Sequence, residues 1–172
     1  MPTTYTLISS NVLSSSQTSI TFSSIPATYT DLVLRISARN DSANVSNNLI
    51  CRFNGDSGTN YSYTQVYGNG ATAASARGSA TNPLIYQGTN GGTSTTSTFS
   101  SVEIYVPSYT ATQKKPFSAD SAHETNGTTA YRSANALLWQ TTSAITQIDL
   151  SIFGGSNFVS GSSFYLYGIS NA

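Results

Sequence analysis

The chain has 172 residues, of which 14 are Lys, Arg, Asp or Glu (8%), and its formal net charge is zero. Soluble domains carry about a quarter charged residues; here 30 Ser and 24 Thr take over the solvent-facing role. That balance argues against nucleic-acid binding, which needs clustered Lys and Arg against phosphate, and against an enzyme, which needs titratable groups with perturbed pKa values.

From the N-terminus onward, period two dominates. The opening Met1-Pro2-Thr3-Thr4-Tyr5-Thr6-Leu7 has neither the cationic start nor the apolar run of a secretory signal. No stretch approaches the ~20 apolar residues that span a bilayer, so synthesis in the cytoplasm is expected, with no cleaved signal and no membrane insertion. Residues 5–9 and 18–22 read as short strands. Leu32, Leu34 and Ile36 then share one face of a strand, with Arg35, Ser37 and Arg39 opposite. Leu49, Cys51 and Phe53 repeat the arrangement, which makes the sole cysteine a small buried hydrophobe. Residues 60–67 and 83–87 follow as strands, and between them 68–82 lacks apolar periodicity and reads as a long irregular loop.

Val102, Ile104 and Val106 mark the next strand, then residues 117–121 and 130–140. The last of these contains good helix formers, but Tyr131, Ser133, Leu137 and Trp139 fall on one face of a strand. Ile148, Leu150 and Ile152 alternate with Asp149 and Ser151, and residues 163–169 close the chain. Gly, Asn and Ser clusters at 54–58, 67–70, 88–92, 126–127 and 154–155 supply the turns. About ten or eleven strands with regular turn signals predict one all-β domain over residues 1–172, an antiparallel β-sandwich of jelly-roll type with little or no helix.

Sites are sparse. His123, the only histidine, lies beside Glu124 in a polar stretch and reads as an exposed loop residue, and Lys114-Lys115-Pro116 reads as a solvated loop. One Cys and one His cannot supply the four ligands of structural zinc. The loop from Asn54 to Asn60 has a single carboxylate where calcium wants several, so it reads as a turn. No cofactor, metal or catalytic residue is expected. Nothing selects a catalytic pair from Asp31, Asp41, Asp56, Glu103, Asp120, Glu124 and Asp149, and Glu103 and Asp149 alternate with core residues, so they face water. Sequons at Asn40, Asn44, Asn60 and Asn126 follow from composition.

The aromatics are the better lead. Tyr61, Tyr63 and Tyr67 alternate in one strand, and Tyr165 and Tyr167 form a second short row. Such a row is inner-face core, a protein interface or a platform for sugar rings, since Tyr offers a large amphipathic area at low entropic cost. The candidate interface or glycan-contact residues are Tyr61, Tyr63, Tyr67 and Trp139.

Two segments carry a resemblance. The run from Ser15 to Leu34 has a strand ending at Ile25-Pro26, then Tyr29-Thr30-Asp31-Leu32-Val33-Leu34; Phe164-Tyr165-Leu166-Tyr167-Gly168-Ile169 ends the chain. Both resemble tailed-bacteriophage virion proteins, including those of marine cyanobacterial phages, which open and close in this way. The resemblance implies a non-enzymatic structural protein on the virion surface, first a capsid decoration or knob-like (cement or head-fibre) protein. The alternative is a tail-fibre or receptor-binding module that binds a host surface glycan. It implies other virion proteins of capsid or tail as partners, and a homo-oligomer, with a trimer as the first guess. Symmetric homo-oligomers are the usual outcome in any case.

Overall fold

A computed structural model describes residues 4–170 of the protein. Among these residues the strands are β1 (Tyr5–Val12), β2 (Ser19–Phe22), β3 (Asp31–Ala38), β4 (Ser46–Phe53), β5 (Tyr61–Gly68) and β6 (Ala73–Ala80). There follow β7 (Leu84–Asn90), β8 (Ser100–Val106), β9 (Lys115–His123), β10 (Tyr131–Trp139), β11 (Ile148–Ile152) and β12 (Ser163–Ile169), and no helix is present among the described residues. They form two antiparallel sheets, one ordered β1-β12-β3-β8-β9-β10-β5-β6 and one ordered β2-β11-β4-β7. The all-β sandwich read from the sequence is the fold.

The alternating residues make the core. Leu32, Leu34 and Ile36 of β3, Val102, Ile104 and Val106 of β8, and Phe164 and Leu166 of β12 come from the large sheet. Ile20, Phe22, Leu49, Cys51, Phe53, Ile148 and Leu150 meet them from the small one. Phe53 stands edge-on to Phe117 and Trp139, with centroids 4.8 and 5.7 Å away, a geometry that aligns ring edge with ring face. The stretch through Trp139 is strand β10, because its 3.6-residue pattern is poor while its alternate residues are buried against the small sheet.

Leaving out β5–β6 and β9–β10, the chain changes sheet at every step but one: β1 large, β2 small, β3 large, β4 and β7 both small and paired, β8 large, β11 small, β12 large. Hairpins β5–β6 and β9–β10 interrupt this traffic and extend the large sheet beyond β8. Without them, β1-β12-β3-β8 would face β2-β11-β4-β7.

The hairpin strands face β7 with polar side chains. Ser121 and Ser133 hydroxyls lie 2.6 Å apart, and both donate to the Tyr86 carbonyl (3.1 and 2.9 Å). The Asn135 carbonyl oxygen accepts the Tyr86 N–H at 3.1 Å. Some of the many hydroxyls therefore work inside the sandwich, where a buried polar group must be paired.

Residues 68–82 are not an irregular loop. Ala73 to Ala80 pair with β5 residue by residue, from Gly68↔Ala73 to Tyr61↔Ala80, with no shift of register. Apolar alternation is missing because β6 covers little: Ala73, Ala74, Ser75, Arg77 and Ser79 are all exposed. The hairpin is set by Asn69, whose side-chain oxygen accepts the N–H groups of Ala71 (3.1 Å) and Thr72 (2.8 Å), and by Gly70 at φ 85°.

Lys115 also departs from the sequence reading. It is fully buried at the start of β9, and its Nζ donates to the carbonyls of Ala111, Gln113 and Thr142. The ammonium holds together two connections that flank the β9–β10 hairpin.

The two terminal motifs meet in space. Leu32 pairs with Gly168 across β3–β12, and the Thr30 N–H donates to the Ile169 carbonyl at 2.8 Å. The Tyr29 ring lies on Gly168 so closely that a Cβ there would sit 2.3 Å from its Cγ. The Tyr109 hydroxyl donates to the Pro26 carbonyl. Asp31, itself buried, accepts the Tyr105 hydroxyl at 2.9 Å and the Ser108 N–H at 2.8 Å.

Candidate functional site

With charge so scarce, the use of each ionisable side chain is informative. Asp41 accepts the backbone and side-chain N–H groups of Asn157, and the side-chain bond chiefly holds its carboxyl below the usual carboxylate range. Asp56 is held low mainly by the Trp139 indole N–H, 2.7 Å from its Oδ2. It also accepts the Gly58 N–H and the Asn60 amide, which makes the 54–60 segment a turn. Asp149 accepts the Thr21 hydroxyl and the Gln147 amide, and Glu124 accepts the N–H groups of Thr125 and Asn126. Arg39 donates to the carbonyls of Gly92, Ser94, Thr95 and Thr98, clamping that loop. Arg52 binds the Asn82 side chain.

His123 is not an exposed loop residue. It ends β9 with 1% exposure, its Nε2 is 3.1 Å from the Val45 carbonyl, and its Nδ1 has no partner among the described residues. Burial pushes its pKa below the ordinary value. No group of three or more His, Cys, Asp or Glu among the described residues could hold a metal ion. Sequon residue Asn40 is fully buried, donating its amide to Thr89 and Asn90.

Beyond these contacts lie Arg77 and Lys114, both exposed, and one cluster on the outer face of the large sheet. Arg35 Nη2 is 2.8 Å from Glu103 Oε2, and Arg132 Nη2 is 2.9 Å from Asp120 Oδ1. Register brings them together: Arg35 pairs with Glu103 across β3–β8, and Glu103 with Asp120 across β8–β9. Arg132 stands two residues from Ala134, the partner of Asp120, and also donates to the carbonyls of Ser121 and Ser133. Tyr165 is the β12 partner of Arg35. The four charges and Tyr165 line a shallow open trough with Ser37, Ser101 and Ser163 along it. Exposed ion pairs of this kind add only about 0–1 kcal/mol to stability, so the cluster is no strong contributor to folding.

The structure does not bring the four aromatic candidates together on a surface. Tyr61 is fully buried, its hydroxyl accepts the Phe53 N–H at 3.0 Å, and burial pushes its pKa up. Trp139 is 2% exposed, with its indole spent on Asp56. Both are core, because their strands turn this face toward the small sheet. Tyr63 is half-buried against the same core, with its hydroxyl over Gly78. Tyr67, also half-buried, stacks on Tyr86 at 3.9 Å. The second row, Tyr165 and Tyr167, is on the outer face, and Tyr167 meets Tyr5 edge-on at 6.4 Å. The charged cluster escaped the sequence reading: Glu103 was legible as outward-facing, but nothing local gives the register that aligns four strands.

Compared with protein-family models, curated proteins and solved structures, the chain matches none.

Proposed function

We propose that this protein is a non-enzymatic component of a tailed-phage particle surface, a capsid decoration or knob-like protein that works by binding other virion proteins. One observation carries the assembly part of this reading. Strand β6 is a regular, uncovered edge of the large sheet, with no proline, no bulge and Arg77 as its single charge. Proteins that live as monomers blunt such edges, because an unpaired row of N–H and C=O groups recruits other chains. The opposite edge, β1, carries exposed Tyr5, Leu7 and Val12, which suits it to a protein contact.

The phage part rests on the resemblance of the opening and closing segments, which lie together where Leu32 pairs with Gly168. We read the sandwich as a jelly roll enlarged by the hairpins β5–β6 and β9–β10. The remaining eight strands form two four-stranded sheets, β1-β12-β3-β8 and β2-β11-β4-β7, and change sheet at every step except β4–β7, which favours that reading. Commitment of most titratable groups to backbone and turns supports binding over catalysis. The partners are capsid or tail proteins and further copies of this chain, and the place is the virion surface.

Immunogold electron microscopy of intact particles tests the proposal. Label on heads is the expected result. Label confined to the tail would replace the decoration role by a tail-appendage one, and absence of label on particles that otherwise react normally would overturn the virion reading.

A further inference from the structure

We propose that the trough on the outer face of β12, β3, β8, β9 and β10 is a binding site for a neutral saccharide chain. The inference concerns a site and its ligand, and stands wherever on a particle the protein sits. Four of the 14 charged residues of the chain meet there, in the order Arg35, Glu103, Asp120, Arg132 across the strands. Glu103 and Asp120 are direct cross-strand partners, a like-charge pairing that weakens a sheet. The flanking guanidiniums neutralise that pair and leave the site without net charge. A site built to hold an anion or a cation would carry an excess of one sign; this one carries none.

What it offers instead is mixed hydrogen-bonding capacity on rigid strands. Each carboxylate spends one oxygen on its ion pair, and Glu103 Oε1 and Asp120 Oδ2 have no partner among the described residues. Arg35 likewise engages only Nη2 there, so its Nε and Nη1 remain donors. Acceptors and donors side by side match hydroxyl groups, which both give and take hydrogen bonds. Tyr165, next to Arg35, supplies the apolar ring surface against which the C–H face of a sugar packs. The trough is open rather than enclosed, so it fits the interior of a chain as well as its end. Strands fix the side chains in place, which is what a preformed site requires.

The test is affinity electrophoresis of the full chain through gels containing dextran, mannan, xylan or galactan, with calorimetric titration of any polymer that retards it. Retardation by at least one is expected, with a dissociation constant of about 1 mM or tighter. Because the ligand is uncharged, affinity should change less than about twofold between about 50 and about 500 mM NaCl. Glu103→Gln and Tyr165→Ala should each weaken it by about tenfold or more, while Lys114→Ala, exposed and outside the trough, leaves it unchanged. Retardation by none of these polymers would overturn the proposal. So would preference for an anionic polysaccharide with steep salt dependence, or full binding by Glu103→Gln and Tyr165→Ala proteins that melt like the parent.

Discussion

Lys115 lies wholly inside the protein with its Nζ among the carbonyls of Ala111, Gln113 and Thr142, and His123 is buried almost as deeply with Nε2 against the Val45 carbonyl. In sequence both sit in polar runs, and neither run hints at the burial. Val45 is 78 positions from His123, and Lys115 is closed in by Thr142, 27 positions on, as well as by Ala111 and Gln113 of its own loop, so tertiary structure is needed to reveal either burial. Trp139 and Tyr61 misled in the opposite sense. Their alternation was legible, but whether that face met solvent or the small sheet depended on packing. His123 yields a prediction. Its folded pKa lies below 6.5, because burial disfavours the imidazolium, while the Val45 carbonyl and Glu124 only partly oppose the shift. As the pH falls below 6.5, the unfolded chain takes up this proton before the folded one, so stability drops until the folded pKa is reached. The urea midpoint should therefore fall between about pH 7 and about pH 5.5, and His123→Gln should flatten that stretch. The later loss, below the ordinary 3.8 of Asp41 and Asp56, should persist in the variant, because those carboxyls are held low by Asn157 and Trp139. An undiminished slope in His123→Gln would assign the upper transition to another group.

Strand β6 is where period-two reading failed, and the failure has a cause. A strand shows apolar alternation only when one face is buried, and β6 overhangs the small sheet with Ala, Ser and Gly. Its one sequence signal was Asn69-Gly70, a hairpin dipeptide that supplied the turn but not the returning strand. The strands with buried faces were legible, β3, β8 and β11 most clearly. If β6 is an assembly edge, charge placed on it should act on association and not on folding. Ser75→Lys with Ser79→Lys puts two cations on exposed positions of the strand, the device by which natural edges are blocked. Thermal stability should stay within about 0.5 kcal/mol of the parent. Self-association in sedimentation, or incorporation into particles, should be lost. Unchanged association of the double variant would move the interface elsewhere, with the exposed apolar residues of β1 next in line.

At the scale of the molecule, the sequence conveyed the class and withheld the topology. Strand number and turn spacing point to a sandwich, but order within a sheet depends on which distant strands pair, and period two is blind to that. The seam β1-β12-β3 illustrates this, since it joins the first and last strands to β3. Its closure depends on Gly168, where the Tyr29 ring occupies the space a side chain would need. Gly168→Ala should therefore push Tyr29 off the sheet and destabilise the fold by about 1–3 kcal/mol, the usual cost of overpacking. Replacing the ring separates crowding from any intrinsic effect of alanine in β12. Tyr29→Ala alone loses the ring's packing on the core, and adding Gly168→Ala to it should cost little more, because the clash is gone. The double-mutant cycle then gives a large coupling between the two positions, read from urea midpoints at constant m. Additive effects would mean that Gly168 is required for the strand itself. Strong coupling would establish that the Tyr29 ring occupies the space Gly168 leaves open where the opening and closing segments meet.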